Sequence, residues 1–125
     1  MIDALFNDPN YLAGKKTLDA IALRQQAIAS NIANLETPGY QRVDLAPSFK
    51  AELDRACASG DAQQIGALKP TLVPDTTAVP NGRDGNTVNL ENEMMQLNQN
   101  TLANTVEAQV VSYSLIRMQL AITGK

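Results

Sequence analysis

Between residues 90 and 122 the chain carries an apolar rhythm that no proline or glycine interrupts. Leu90, Met94, Leu97, Thr101, Asn104, Ala108, Val111, Leu115, Met118 and Ile122 follow one another in alternating steps of four and three. An α-helix returns residues at that spacing to one side. Asn89 is placed to cap the helix, and Glu91 and Glu93 fall in its first turn, where the helix dipole favours acids. Gly124 and Lys125 close it. At 1.5 Å per residue the element runs about 50 Å, long for so small a protein. Thr101 and Asn104 put polar groups in the middle of the expected seam, where they cost stability and fix register.

A second helix is expected near the other end. Asp8 followed by Pro9 supplies a capping carboxylate and a proline at the first helical position. Tyr11, Leu18, Gln25 and Ile32 are spaced by seven, with Ile21, Ile28 and Leu35 as the companion series, so a narrow stripe forms that is broken at Gln25. Thr37-Pro38-Gly39 ends the helix near Asn34, because Pro38 disfavours helix at Thr37 and Gly39 permits positive φ.

The stretch from 41 to 86 is different. Phe49, Leu53 and Cys57 line one face of a short helix that stops at Gly60. Pro70, Pro74 and Pro80 among Thr and Val residues indicate extended or loop structure, at best an edge hairpin. Asn81-Gly82-Arg83-Asp84-Gly85-Asn86 is a turn run. This middle is expected to be exposed and mobile. The fold class expected is all-α: two long amphipathic helices paired as a coiled-coil-like hairpin, in segments 1–40 and 87–125, which together form one assembly domain around the irregular 41–86.

Several function classes find no footing. With no histidine, the usual general base and the commonest metal ligand are missing. The single cysteine, Cys57, has no evident activator and is expected to pack the short helix as a small apolar residue. Glu91 and Glu93 stand two apart and so do not share a helix face. Asp84-Gly85-Asn86 resembles the opening of a calcium loop, but the required glycine and acid would fall on Asn89 and Met95. There is no Gly-rich phosphate loop. A net charge of −3 without a basic block argues against nucleic acid. No cofactor, metal or small-molecule substrate is expected. Residues 1–9 lack a basic, apolar leader pattern, and no stretch is long enough to span a membrane, so neither a cleaved secretory signal nor a membrane span is expected.

What remains is assembly. Aromatics make up only 4% of the chain and tryptophan is absent, so Ala, Leu, Ile, Val and Met must do the packing, which suits helix on helix. Beyond its seam the last helix also carries Leu102, Val106, Val110, Ile116 and Leu120, an apolar surface wide enough to invite a partner. A self-contained helical hairpin, acting as a soluble binding or regulatory module, is the competing reading.

One segment narrows the choice. Ser30-Asn31-Ile32-Ala33-Asn34 followed by Thr37-Pro38-Gly39-Tyr40 closely resembles the signature of bacterial flagellar rod and hook proteins, in residue types and in spacing. Asp84-Gly85-Asn86-Thr87-Val88-Asn89-Leu90, with Glu93 and Met94, resembles the start of the C-terminal helix in the same family. The short length is most like the proximal rod members, of which there are two related kinds. Hook and distal rod members usually hold a larger β-rich insert. Asn104 departs from the pattern, standing where such proteins often have tyrosine.

The resemblance implies a structural subunit of the basal-body rod. Its terminal helices pair into the inner layer of a tubular stack that carries torque across the envelope, and its termini are disordered before assembly. It implies export by the flagellar type III apparatus, and as partners copies of the chain itself, other rod proteins and the junction with the inner-membrane ring and export gate. Leu18, Ile21, Ile28 and Ile32 on the first helix would serve helix pairing and assembly. Leu90, Met94, Leu97, Ala108, Val111, Leu115, Met118 and Ile122 would do so on the last.

Overall fold

The first helix, α1, spans Pro9–Ala33. Asp8 is extended and its carboxylate accepts the Tyr11 N–H at 3.0 Å, so the cap and Pro9 start the helix where the sequence places them. At the other end the Asn34 N–H reaches back to the carbonyls of Ser30 and Asn31. Gly39, at φ 72°, then turns the chain. The computed structural model describes residues 6–124, so Lys125 and the first five residues of the expected 1–40 segment lie outside the described residues.

After α1 come β1 (Val43–Leu45), α2 (Ser48–Ser59), α3 (Ala62–Ala67), β2 (Leu72–Pro74) and α4 (Leu90–Thr123). The architecture is mainly α. The two strands form a small antiparallel ladder that pairs Val43 with Pro74, Asp44 with Val73 and Leu45 with Leu72. Gly60 ends α2 in the left-handed region at φ 68°. Within α2, Phe49 and Ala56 are buried, Leu53 is half-buried, and Cys57 is exposed, not packed as expected. Cys57 follows Ala56 directly and is turned about 100° from it around the helix, which takes it off the buried face of Phe49 and Ala56. The short helix α3, which the sequence reading did not anticipate, is capped by Asp61 and buries Ile65 against its surroundings. Both α2 and α3 pack on α1, so the middle of the chain is more structured than expected.

The two long helices lie antiparallel. Val111 sits against Gly14, Asn100 against Ile21 and Gln25, and Glu93 against Asn31. The approach at Gly14 is close: a Cβ there would stand 2.7 Å from Val111 Cγ2 and 3.3 Å from Glu107 Oε1. The buried residues of α1 are Tyr11, Gly14, Ala20, Ala27, Ile28 and Asn31, with Leu18, Ile21 and Ile32 half-buried beside them.

The face of α4 turned to α1 differs from the expected seam by one residue at every other step. Leu97, Val111 and Met118 are on the covered side, as expected, but their companions are Glu93, Asn100, Glu107 and Ser114. Leu90, Met94, Ala108, Leu115 and Ile122 are exposed, and so are Thr101 and Asn104. The cause is polar. Glu93 bonds Asn31 on α1 and Arg42 just ahead of β1, and Asn100 bonds the Ile21 carbonyl and Gln25 on α1, partners that Met94 cannot use, whereas Thr101 bonds the Leu97 carbonyl of its own helix.

Candidate assembly surface

Two stretches of sequence, residues 30–40 and 84–88, form one knot that ties the end of α1 to the start of α4. Asn31 is fully buried. Its Oδ1 accepts the Val43 N–H at 2.9 Å and its Nδ2 donates to the Val43 carbonyl at 2.9 Å, so the side chain pairs with β1 as another strand would. The same Nδ2 lies 3.3 Å from Glu93 Oε2. Tyr40 folds back over the turn, its hydroxyl 3.0 Å from Ser30 Oγ and donating to Asn31 Oδ1. Asn34 donates from Nδ2 to the Ser30 carbonyl and accepts from Thr37 Oγ1. Ile32 is half-buried, while Ala33, Thr37 and Pro38 are exposed.

Asn86 closes the knot from the other side. Its Nδ2 donates to the carbonyls of Asn34, Leu35 and Thr37 at 2.9, 3.0 and 2.8 Å, all in the turn that follows α1, where Asn34 and Thr37 also accept the N–H groups of Thr37 and Tyr40. Its Oδ1 accepts the Val88 N–H at 2.8 Å, which sets up the entry into α4. Asp84 caps the Asn86 N–H and its carbonyl takes the Gly39 N–H at 2.7 Å. Gly85, at φ 78°, lies in van der Waals contact with Gly39, and its positive φ would strain any other residue there. Val88 is buried, and Asn81 Nδ2 donates to its carbonyl. The Thr87 N–H bonds the Tyr40 carbonyl, and Thr87 Oγ1 accepts from the Arg42 N–H.

Arg42 extends the knot into the helix pair. Its Nε donates to Glu93 Oε1 at 2.7 Å and its Nη1 to Asp75 Oδ2 at 2.5 Å, with Asp44 3.4 Å away. Burial works against the guanidinium charge. Hydrogen bonds to Glu93 and Asp75, and the attraction of Glu93 and Asp44, outweigh it and raise the Arg42 pKa further above its ordinary value. The carboxyl of Asp75 is held below its ordinary range, chiefly by the Thr77 hydroxyl, and also by the Thr77 N–H and Arg42, against the effect of burial. Arg24 joins the network through Asp44 and Gln96. The sequence reading assigned Glu93 to the helix dipole and passed over Arg42, Asp75, Gln96 and Asn100. The signal available was the heptad of polar residues 93, 100, 107 and 114.

The other side of α4 is free. Met95, Leu102, Val106, Tyr113, Ile116 and Leu120 lie on the face opposite α1 and all are about half exposed or more, Leu102 at 66%. With Gln99 and Gln109 they complete a second series of alternating fours and threes. From Met94 to Gly124 the only charged residues are Glu107 and Arg117. A helix face kept in water carries more charge than that. Tyr113 was missed because the series was read from its aliphatic members alone. Among the described residues there is no cluster of His, Cys, Asp and Glu suited to a metal, and no helix long and apolar enough to cross a membrane.

A polar knot that ties the end of α1 to the start of α4, with the outer face of α4 apolar, defines a mainly helical protein with one long uncovered face. The family model described as flagella basal body rod protein matches residues 13–41, which include the Asn31–Tyr40 side of the knot. The flagellar basal body rod protein FlgB of Escherichia coli (strain K12) is 36% identical over 104 residues, covering 70% of this chain and 74% of that protein. That of Borrelia hermsii is 32% identical over 103 residues, covering 68% and 74%. That of Salmonella typhimurium is 29% identical over 131 residues, covering 88% and 90%. The chain belongs to the flagellar basal body rod protein family. Within it the chain is FlgB-like, in keeping with its short middle region.

Proposed function

We propose that this chain is a structural, non-catalytic subunit of the proximal flagellar rod, which polymerises through its terminal helices and transmits torque across the cell envelope. The observation that carries the reading is the outward face of α4, apolar over seven turns while the inward face is already satisfied by α1. Helices of neighbouring rod subunits are the occupants it fits, since the spacing is that of helix-on-helix seams. Segments 1–40 and 87–125 then act as one assembly domain, with 41–86 carried on α1 as a brace. Leu90, Met94, Ala108, Leu115 and Ile122, exposed in the single chain, become interface residues in this reading. Leu18, Ile21, Ile28 and Ile32 serve pairing within the subunit.

The partners in this reading are copies of the chain, other rod proteins, and the junction with the inner-membrane ring and export gate. Nucleic acid and small-molecule substrates have no part in it. The site of action is the periplasmic rod of the basal body, reached through the flagellar type III apparatus.

Leu102→Asp tests this reading, because Leu102 touches little within its own subunit. The variant is expected to be expressed and to keep its helix content, yet to leave cells non-motile and without rods. Normal swimming, with a purified chain that melts cooperatively as a monomer, would contradict the proposal and favour a soluble helical-hairpin module.

A further inference from the structure

The α4 helix carries two competing seams toward α1. One is the seam it uses, with Glu93, Asn100, Glu107 and Ser114. The other, one residue on, has Met94, Thr101, Ala108 and Leu115. Leu97, Val111 and Met118 are common to both. The helix exchanges one seam for the other by rolling about 50°, half of one residue's turn at 3.6 residues per turn. Hydrophobic burial alone favours the unused seam, since Met94 and Leu115 stand exposed while a carboxylate and an amide are buried.

We infer that Glu93 and Asn100 are a rotational lock: they select which face of α4 turns to α1, and so which face is left for a neighbour. Glu93 is fully buried and held from two sides, by Arg42 Nε at 2.7 Å and Asn31 Nδ2 at 3.3 Å. Two turns on, Asn100 Nδ2 donates to the Ile21 carbonyl at 3.0 Å and to Gln25 Oε1 at 2.9 Å. Between them Gln96 accepts from Arg24 Nη2 at 2.9 Å. A 50° roll carries these groups several ångströms from partners that sit on α1 and at Arg42, and leaves charged and polar atoms buried without hydrogen bonds. Apolar packing tolerates such a roll; directional hydrogen bonds do not. The inference concerns the rotation of α4 within one chain and does not depend on what covers its outer face.

Thiol labelling of the full chain tests it, in a Cys57→Ser background that removes the exposed native thiol. Met94→Cys and Leu115→Cys report the unused seam, Ser114→Cys the used one, and Ala20→Cys, buried on α1, reports whether the helices remain paired. With the lock intact, the Met94→Cys and Leu115→Cys thiols are expected to react at least tenfold faster than the Ala20→Cys thiol. Asn100→Leu is expected to slow labelling at Leu115→Cys several-fold and to quicken it at Ser114→Cys, with Ala20→Cys still protected. Adding Glu93→Leu should enlarge the exchange, whereas Glu93→Gln, which keeps an acceptor for Arg42, should preserve the original pattern. An unchanged pattern in Asn100→Leu with Ala20→Cys protected would overturn the inference. Loss of Ala20→Cys protection in Asn100→Leu, or in the intact lock, would overturn it too, since the polar seam would then be needed for pairing itself or the helices would not be paired in solution.

Discussion

The side-chain amide of Asn31 stands in for a strand beside Val43, giving and taking a hydrogen bond at 2.9 Å each with the backbone of that one residue. Because Asn31 also faces Glu93, one side chain joins α1, β1 and α4. Asn31→Leu leaves two backbone groups of Val43 unpaired, at a cost of about 1–3 kcal/mol for each group that stays dry. Asn31→Asp keeps the shape but points oxygen at the Val43 carbonyl and at the Glu93 carboxylate. Both variants are expected to lower the urea midpoint markedly, and the isosteric Asp should be no better tolerated than Leu. A near-native midpoint for Asn31→Asp would contradict this role.

Asn86 serves three carbonyls in the turn after α1 and orders the entry to α4. Asn86→Ala is expected to destabilise the chain by about 1–3 kcal/mol, the range for buried polar groups left unmatched. Amide hydrogen exchange gives the sharper reading. The Val88 N–H should lose its protection in Asn86→Ala while amides in the middle of α1 keep theirs.

At Gly14 the long helices approach closely enough that a Cβ would meet Val111. Alanine there gains about 1 kcal/mol of helix propensity. The new Cβ, 2.7 Å from Val111 Cγ2, meets a β-branched side chain with little freedom to move, and overpacking of this kind costs about 1–3 kcal/mol. Gly14→Ala is therefore expected to be net destabilising on thermal melting. Val111→Ala should relieve it, so that the double variant is more stable than the sum of the two single changes predicts.

The depressed carboxyl of Asp75 sets one part of the pH response. Its folded pKa lies below the unfolded value, which is near its ordinary 3.8. Asp75 therefore binds protons more readily when unfolded, and its stabilisation is present above the unfolded value and lost as pH falls through the folded one. Asp75→Asn should lower stability at neutral pH and flatten the decline of stability in acid. Denaturant titrations at several pH values below 5 check both effects.

The long helices were legible because their determinants are local. Asp8-Pro9, Pro38-Gly39, Asn89 and Gly124 cap, break and close the chain where they stand. The rotation of α4 was not legible, because it depends on Arg42 and Asn31, more than fifty residues away in sequence from Glu93. A periodicity reading assigns the apolar series to the nearest partner. Here that series is divided, and satisfied polar groups win the inner face. The same limit hid β1, which has only three residues and owes its place to Asn31 and to pairing with β2. Short α3 gave too little periodicity to read, and the exposure of Cys57 turned on which side of α2 meets α1. The motif residues were visible as a pattern, but their joining into one knot required Asn86 and the end of α1 to meet across about fifty positions.

A density map of the assembled basal body tests the central claim most directly. The account predicts that Leu102 and Tyr113, at 66% and 65% exposure in the single chain, are covered by helices of neighbouring subunits while Glu93 stays paired with Arg42. Finding that face of α4 open to solvent in the finished rod would contradict it.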